Sequence, residues 1–130
     1  MPARLLEGKR FLIVEDEYLI AAELFSLLEN AGATPFGPVA DLERALEISA
    51  ANFPLDAAIL DINLQNEMVF PAAAKLAMQN IPIIFVTGYD CRSLPDAFND
   101  APCLTKPFEE RKLLETLQSI GRSKGADARV

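Results

Sequence analysis

Five polar residues follow apolar runs in this chain. Glu15 and Asp16 follow "FLIV" (11–14), Asp61 follows "DAAIL" (56–60), Thr87 follows "IPIIFV" (81–86) and Lys106 follows "APCLT" (101–105). Three carboxylates brought close together repel each other and raise each other's pKa values. A hard divalent cation relieves that repulsion. Mg2+ takes oxygen ligands and usually keeps waters beside one or two carboxylates. Lysine adds a point positive charge and threonine a hydroxyl. Together such groups could surround the oxygens of a transferred phosphoryl group. A carboxylate can also attack phosphorus and become an aspartyl phosphate. Asp61 is the candidate nucleophile, because it falls between the Glu15–Asp16 pair and the Thr87–Lys106 pair in the expected sheet. Plainer readings exist. Acids at a helix N-terminus gain about 0.3–1 kcal/mol from the macrodipole, and Glu17 reads as such a first-turn acid. Asp61 could be a strand-end cap, Thr87 an ordinary β-branched strand residue and Lys106 a solvated loop lysine.

The elements that would position these groups follow from the pattern. "FLIV", "DAAIL" and "IPIIFV" do not alternate with polar residues, which suits strands buried on both faces of a parallel sheet. "ATPFG" (33–37) and "APCLT" are weaker strand candidates. Between Glu17 and Ala31, Ile20, Leu24, Leu27, Leu28 and Ala31 fall on one helix face, with Gly32 suited to the position past its end. Asp41 is the expected N-cap of a helix over 42–52. A third helix is expected over 68–79 with Pro71 in its first turn. The last follows Pro107, carries Leu113, Leu114, Leu117 and Ile120 as its stripe, and ends at Gly121. "GYDCRSLPDAFND" (88–100) holds too many Gly, Pro, Asn and Asp residues for a long helix, so a short or irregular one is expected. Strand–helix alternation of this kind predicts a doubly wound α/β domain, in which ligands bind outside the carboxyl ends of the strands.

Composition removes several functions. The 130 residues include no histidine, which excludes histidine acid–base chemistry, histidine-dependent nucleophiles and histidine-ligated metals. A net charge of −7 argues against nucleic-acid binding by bulk attraction. No apolar run approaches a membrane span and no secretory leader is visible, so a cytoplasmic protein is expected. Cys91 and Cys103 are not in a metal-ligand spacing and read as free thiols, Cys103 as a small core residue.

The set "VEDE", "AAILDINL", "IIFVTGYD" and "LTKPFE" resembles the receiver domain of bacterial two-component response regulators, over about residues 9–121. The resemblance implies a flavodoxin-like five-stranded sheet in order 2-1-3-4-5. It implies Asp61 as phosphoacceptor, with Mg2+ held by Glu15, Asp16, Asp61 and the backbone carbonyl of Asn63. Thr87 and Lys106 would contact the phosphoryl oxygens, and the Lys106–Pro107 peptide would be cis. The implied donor is a phosphohistidine on a sensor histidine kinase or phosphotransfer protein. This chain departs from the family in four ways. Leu64-Gln65 and Asn66-Glu67 replace the usual Met-Pro and Asp-Gly pairs. Cys103 stands where an aromatic switch residue is usual. "FVTGY" is similar to the Phe-Ala-Thr-Gly-Tyr stretch of a subgroup whose fourth helix is short, which makes Tyr89 a candidate switch or interface residue. No output domain is expected, and 122–130 reads as a disordered tail.

The expectation is a non-enzymatic, stand-alone receiver that signals through a downstream protein partner or drains phosphoryl groups from a kinase. It would bind no nucleic acid and no membrane, and a homodimer is left open. One alternative is a degenerate receiver acting unphosphorylated as an adaptor. A remote alternative is a haloacid-dehalogenase-type phosphatase, which would want an acid where Asn63 stands.

Overall fold

The continuous apolar runs form the inner strands of one parallel sheet. The computed structural model describes residues 4–88 and 91–128, with side chains through residue 120. Strand β1 (Arg10–Val14) is followed by α1 (Tyr18–Asn30), β2 (Thr34–Val39), α2 (Leu42–Ala50) and β3 (Ala57–Leu60). A small hairpin of β4 (Asn63–Leu64) and β5 (Glu67–Met68) precedes α3 (Phe70–Met78) and β6 (Ile83–Thr87). Two 3-10 turns, Cys91–Ser93 and Asp96–Phe98, lead to β7 (Cys103–Thr105) and α4 (Glu110–Ala128). The main sheet has the order β2-β1-β3-β6-β7, which is the expected 2-1-3-4-5 once the hairpin strands are set aside.

Successive strand residues point to opposite faces, and both faces are covered. Leu12, Val14, Ala58, Leu60 and Phe85 pack with Ala45 of α2 and Ala72, Ala73 and Leu76 of α3. Phe11, Ile13, Ile59, Ile84 and Val86 pack with Leu24, Leu27 and Leu28 of α1 and Leu113 and Leu117 of α4. This double burial is why the runs lack alternation. α2 is capped as expected, with Asp41 Oδ1 accepting from Arg44 N at 2.8 Å. The pairing of β1 with β2 shifts between Leu12 and Val14. Gly37 sits opposite that shift at φ +113°, so close that a Cβ there would stand 2.6 Å from the Ile13 carbonyl oxygen. The Gly37–Pro38 and Lys106–Pro107 peptides are both cis.

Several expectations are corrected. The hairpin takes residues 67–68, so α3 starts later than expected. Gln65 and Asn66 both have positive φ, 49° and 72°, as the central pair of a tight two-residue hairpin turn requires. This is the form taken by the unusual "LQNE" stretch. Gly121 does not end α4, which continues to Ala128. A glycine costs about 1 kcal/mol in a helix interior and need not break it. Residues 122–128 are therefore helical where a disordered tail was expected, while 129–130 lie outside the described residues. The folded body also begins before residue 9, because Leu6 is buried and its N–H donates to the Ala31 carbonyl at 2.9 Å. Cys91 and Cys103 are not free thiols but a disulfide, with Cα atoms 5.9 Å apart. The first 3-10 turn brings Cys91 back against β7, a proximity that a sequence separation of 12 does not reveal.

Candidate functional site

The sheet ladder itself places the polar residues. Beyond the strand ends, Glu15 N donates to the Val39 carbonyl (2.9 Å), Asp61 N to the Val14 carbonyl (2.8 Å) and Lys106 N to the Thr87 carbonyl (2.8 Å). Each functional residue is thus held by the neighbouring strand at the carboxyl edge. Thr87 ends β6 fully buried, paired in register with Thr105.

Glu15, Asp16 and Asp61 each bring a carboxylate oxygen within 4.8 Å of the others. Glu15 is 2% and Asp61 6% exposed, so two of the three charges have little water around them. The Lys106 ammonium enters from the end of β7. It donates to Glu15 Oε2 at 3.0 Å, Asp61 Oδ2 at 3.3 Å and Glu17 Oε1 at 2.6 Å. One ammonium thus faces three carboxylates. Burial is the largest influence on Glu15 and pushes its carboxyl up to about 7, with the Asp61 charge adding to this and Lys106 opposing it. Burial likewise raises Asp61, against the pull of the Lys106 charge. For Lys106, burial favours the neutral amine, but the bonds to Glu17 and Glu15 outweigh it and hold the ammonium. Glu15 Oε1 is buried without a hydrogen-bond partner, although the Lys106 ammonium lies 3.0 Å from it. That one ammonium is shared with Glu17 and Asp61, so the cluster keeps an excess of negative charge that a further cation would offset.

The remaining expected residues are placed as follows. Asp16 Oδ2 accepts from Gln65 N of the hairpin turn at 3.0 Å. Asn63 opens that hairpin two residues past Asp61, its side-chain Oδ1 accepting from Asn66 N at 2.9 Å. Cys103 starts β7 within the disulfide, and Tyr89 lies outside the described residues. Sequence reasoning missed Glu17 as a site residue. It precedes α1 and its carboxylate reaches Lys106. The only signal was its place beside Glu15 and Asp16.

Fold and site together define a class: a doubly wound α/β domain with an acidic cluster and a lysine at the carboxyl edge of its sheet. Residues 11–118 match the response regulator receiver domain family, and the chain belongs to it. The solution structure of SdrG from Sphingomonas melonis Fr1 is similar, with TM-score 0.76 and 40% identity, covering 86% of this chain and 95% of that one. The receiver domain of the Erythrobacter litoralis response regulator PhyR superposes with TM-score 0.75 and 29% identity, covering 88% and 90% of the two chains. Among curated relatives, the transcriptional regulatory protein PdtaR of Mycobacterium tuberculosis is 31% identical over 114 residues, 85% of this chain and 55% of that protein. The chain spans about half the length of the curated relatives it matches. Among the described residues, no helix is long and apolar enough to cross a membrane.

Proposed function

We propose that this chain is a phosphoryl-accepting receiver with Asp61 as the acceptor and Mg2+ as cofactor. The observation that carries the reading is the convergence of Glu15, Asp16 and Asp61, the first and last of them buried, with a lysine that touches Glu15 and Asp61. Mg2+ would be held by those three carboxylates and the Asn63 carbonyl. The three oxygens lie within 4.8 Å of one another, close enough for one cation to face all of them. When bound, the ion supplies positive charge against the phosphoryl oxygens and keeps the acids ionised.

The chain's own residues do the rest. An Asp61 carboxylate oxygen forms the new bond to phosphorus as the bond to the donor's imidazole nitrogen breaks. Lys106 holds its charge beside Asp61 and stays protonated throughout. The Thr87 hydroxyl, on the adjacent strand, takes a phosphoryl oxygen. The donor is a phosphohistidine on a sensor kinase or phosphotransfer protein, consistent with a chain that has no histidine. Output passes through protein contact in the cytoplasm, or the chain drains phosphoryl groups from its kinase.

One observation favours a second reading. The hairpin turn already donates to Asp16 through Gln65 N, which suits an adaptor that works unphosphorylated. Acetyl phosphate with Mg2+ separates the two. The receiver reading expects the mass to rise by one phosphoryl group and the Asp61→Asn variant to show no rise. No gain from acetyl phosphate or from a phosphorylated kinase refutes it. Steady turnover of a phosphomonoester would instead point to a phosphatase.

A further inference from the structure

The disulfide lies outside the acidic site, yet its two cysteines fall between two of the site's residues in the chain. Cys91 is four residues past Thr87, and Cys103 is three residues before Lys106. β6 and β7 are already joined by parallel pairing that includes Thr87 with Thr105 and by the bond from Lys106 N to the Thr87 carbonyl. The disulfide closes this frame covalently at the other end. The chain between the two cysteines holds both 3-10 turns. Its middle is packed down by Phe98, whose ring lies 5.7 Å from those of Phe70 and Phe85. Both cysteines are only half-buried, and Cys91 Sγ also lies 3.7 Å from the exposed Thr105 hydroxyl, so a small thiol or disulfide can approach.

We propose that Cys91 and Cys103 are a reversible dithiol–disulfide pair that gates the movement of segment 91–103, and through it the response of the Thr87–Lys106 edge to phosphorylation. The gating half rests on the receiver reading above; the redox half does not. The oxidant is of the disulfide class, either oxidised glutathione or an oxidised dithiol protein. One cysteine thiolate attacks a sulfur of the donor disulfide and displaces one donor thiolate, giving a mixed disulfide. The second cysteine attacks the mixed disulfide at the chain's own sulfur and displaces the other donor thiolate. Two cysteine thiols are oxidised, one donor disulfide is reduced to two thiols, and the protons pass to those products. Where glutathione and thioredoxin keep thiols reduced, protein disulfides are typically transient or redox-sensing, which suits a reversible pair. In the disulfide state the Cys91 end of the segment is tied to β7. In the dithiol state the Phe98 packing and the remaining non-covalent contacts hold the segment, and it can move.

The test uses the whole chain, equilibrated with reduced or with oxidised glutathione and then cleared of it. N-ethylmaleimide followed by intact mass should count two thiols in the first preparation and none in the second, with dithiothreitol restoring both. Beryllofluoride with Mg2+ should then shift the amide resonances of 91–106 in the reduced protein. The oxidised protein should show smaller shifts and at least threefold weaker beryllofluoride binding. Cys91→Ser should bind as the reduced protein does in either buffer. Two reactive thiols after oxidation, or disulfide-linked dimers in place of the internal bridge, overturn the pair. An equal beryllofluoride response in both redox states overturns the gate. No response in either state refutes the phosphoryl reading and the gate with it, and the thiol count still decides the pair.

Discussion

Glu15 makes the metal-free protein's stability depend on pH in an unusual direction. Its carboxyl is raised from the ordinary 4.5 to about 7, chiefly by burial. Between those values the unfolded chain has released this proton and the folded chain retains it. The folded state therefore binds more protons, and stability falls as pH rises through the window. At about 1.4 kcal/mol per pH unit, ionising Glu15 in place costs about 3 kcal/mol once pH exceeds 7. Asp61, also raised, adds in the same direction. Lys106 contributes no slope here, because its raised pKa keeps it charged throughout. In the proposed function Mg2+ would bind the ionised acids, so its expected effect has the opposite trend. At a concentration a hundredfold above Kd it returns about 2.7 kcal/mol, most of what ionisation removes. The assay is urea unfolding followed by far-UV circular dichroism, at matched ionic strength and fixed redox state, from about pH 5 to pH 8. It is run in EDTA and again in Mg2+. The EDTA stability should fall across the range, Mg2+ should flatten the fall, and Glu15→Gln should remove most of it. A flat or rising EDTA profile, or an unchanged slope in Glu15→Gln, would refute the burial argument.

Two further outcomes follow from packing. Leu28 is fully buried between α1 and the sheet, so Leu28→Ala should cost about 2–5 kcal/mol, read as a lower urea midpoint with unchanged slope. Gly37→Ala would place a Cβ 2.6 Å from the Ile13 oxygen at a φ of +113° and should destabilise by more than about 1 kcal/mol. Because the nearby Val39 carbonyl receives the Glu15 N–H, this variant should also bind Mg2+ more weakly by calorimetry. Unchanged affinity would show that β2 does not help to position the acids.

Much of the site was legible because its residues carry two independent signals. Asp61 and Thr87 each directly follow an apolar run, and a polar group at the end of a buried strand has one place to go, the carboxyl edge. The two short 3-10 turns within 91–98 in place of a long helix were legible too, because Gly, Pro, Asn and Asp act locally on the backbone. The ends of elements were less so. Gly121 reads as a stop, yet α4 passes through it, since a helix tolerates a single glycine.

The sequence by itself determined the alternation of strands and helices, the double burial of the sheet and the identity of the residues at its carboxyl edge. All of these follow from local periodicity and from the cost of burying charge. Only the tertiary structure decided three other features. Glu17 reads as a helix-start acid, but it joins the site because Lys106 arrives from the end of β7, three strands away from β1 in the sheet. The "LQNE" stretch reads as an altered loop, but it closes a hairpin whose Gln65 N–H meets Asp16. Cys91 and Cys103 read as unrelated thiols, but a turn after β6 sets their Cα atoms 5.9 Å apart. In each case the deciding contact joins residues from different elements, and their meeting depends on how those elements pack rather than on the chemistry of either residue alone.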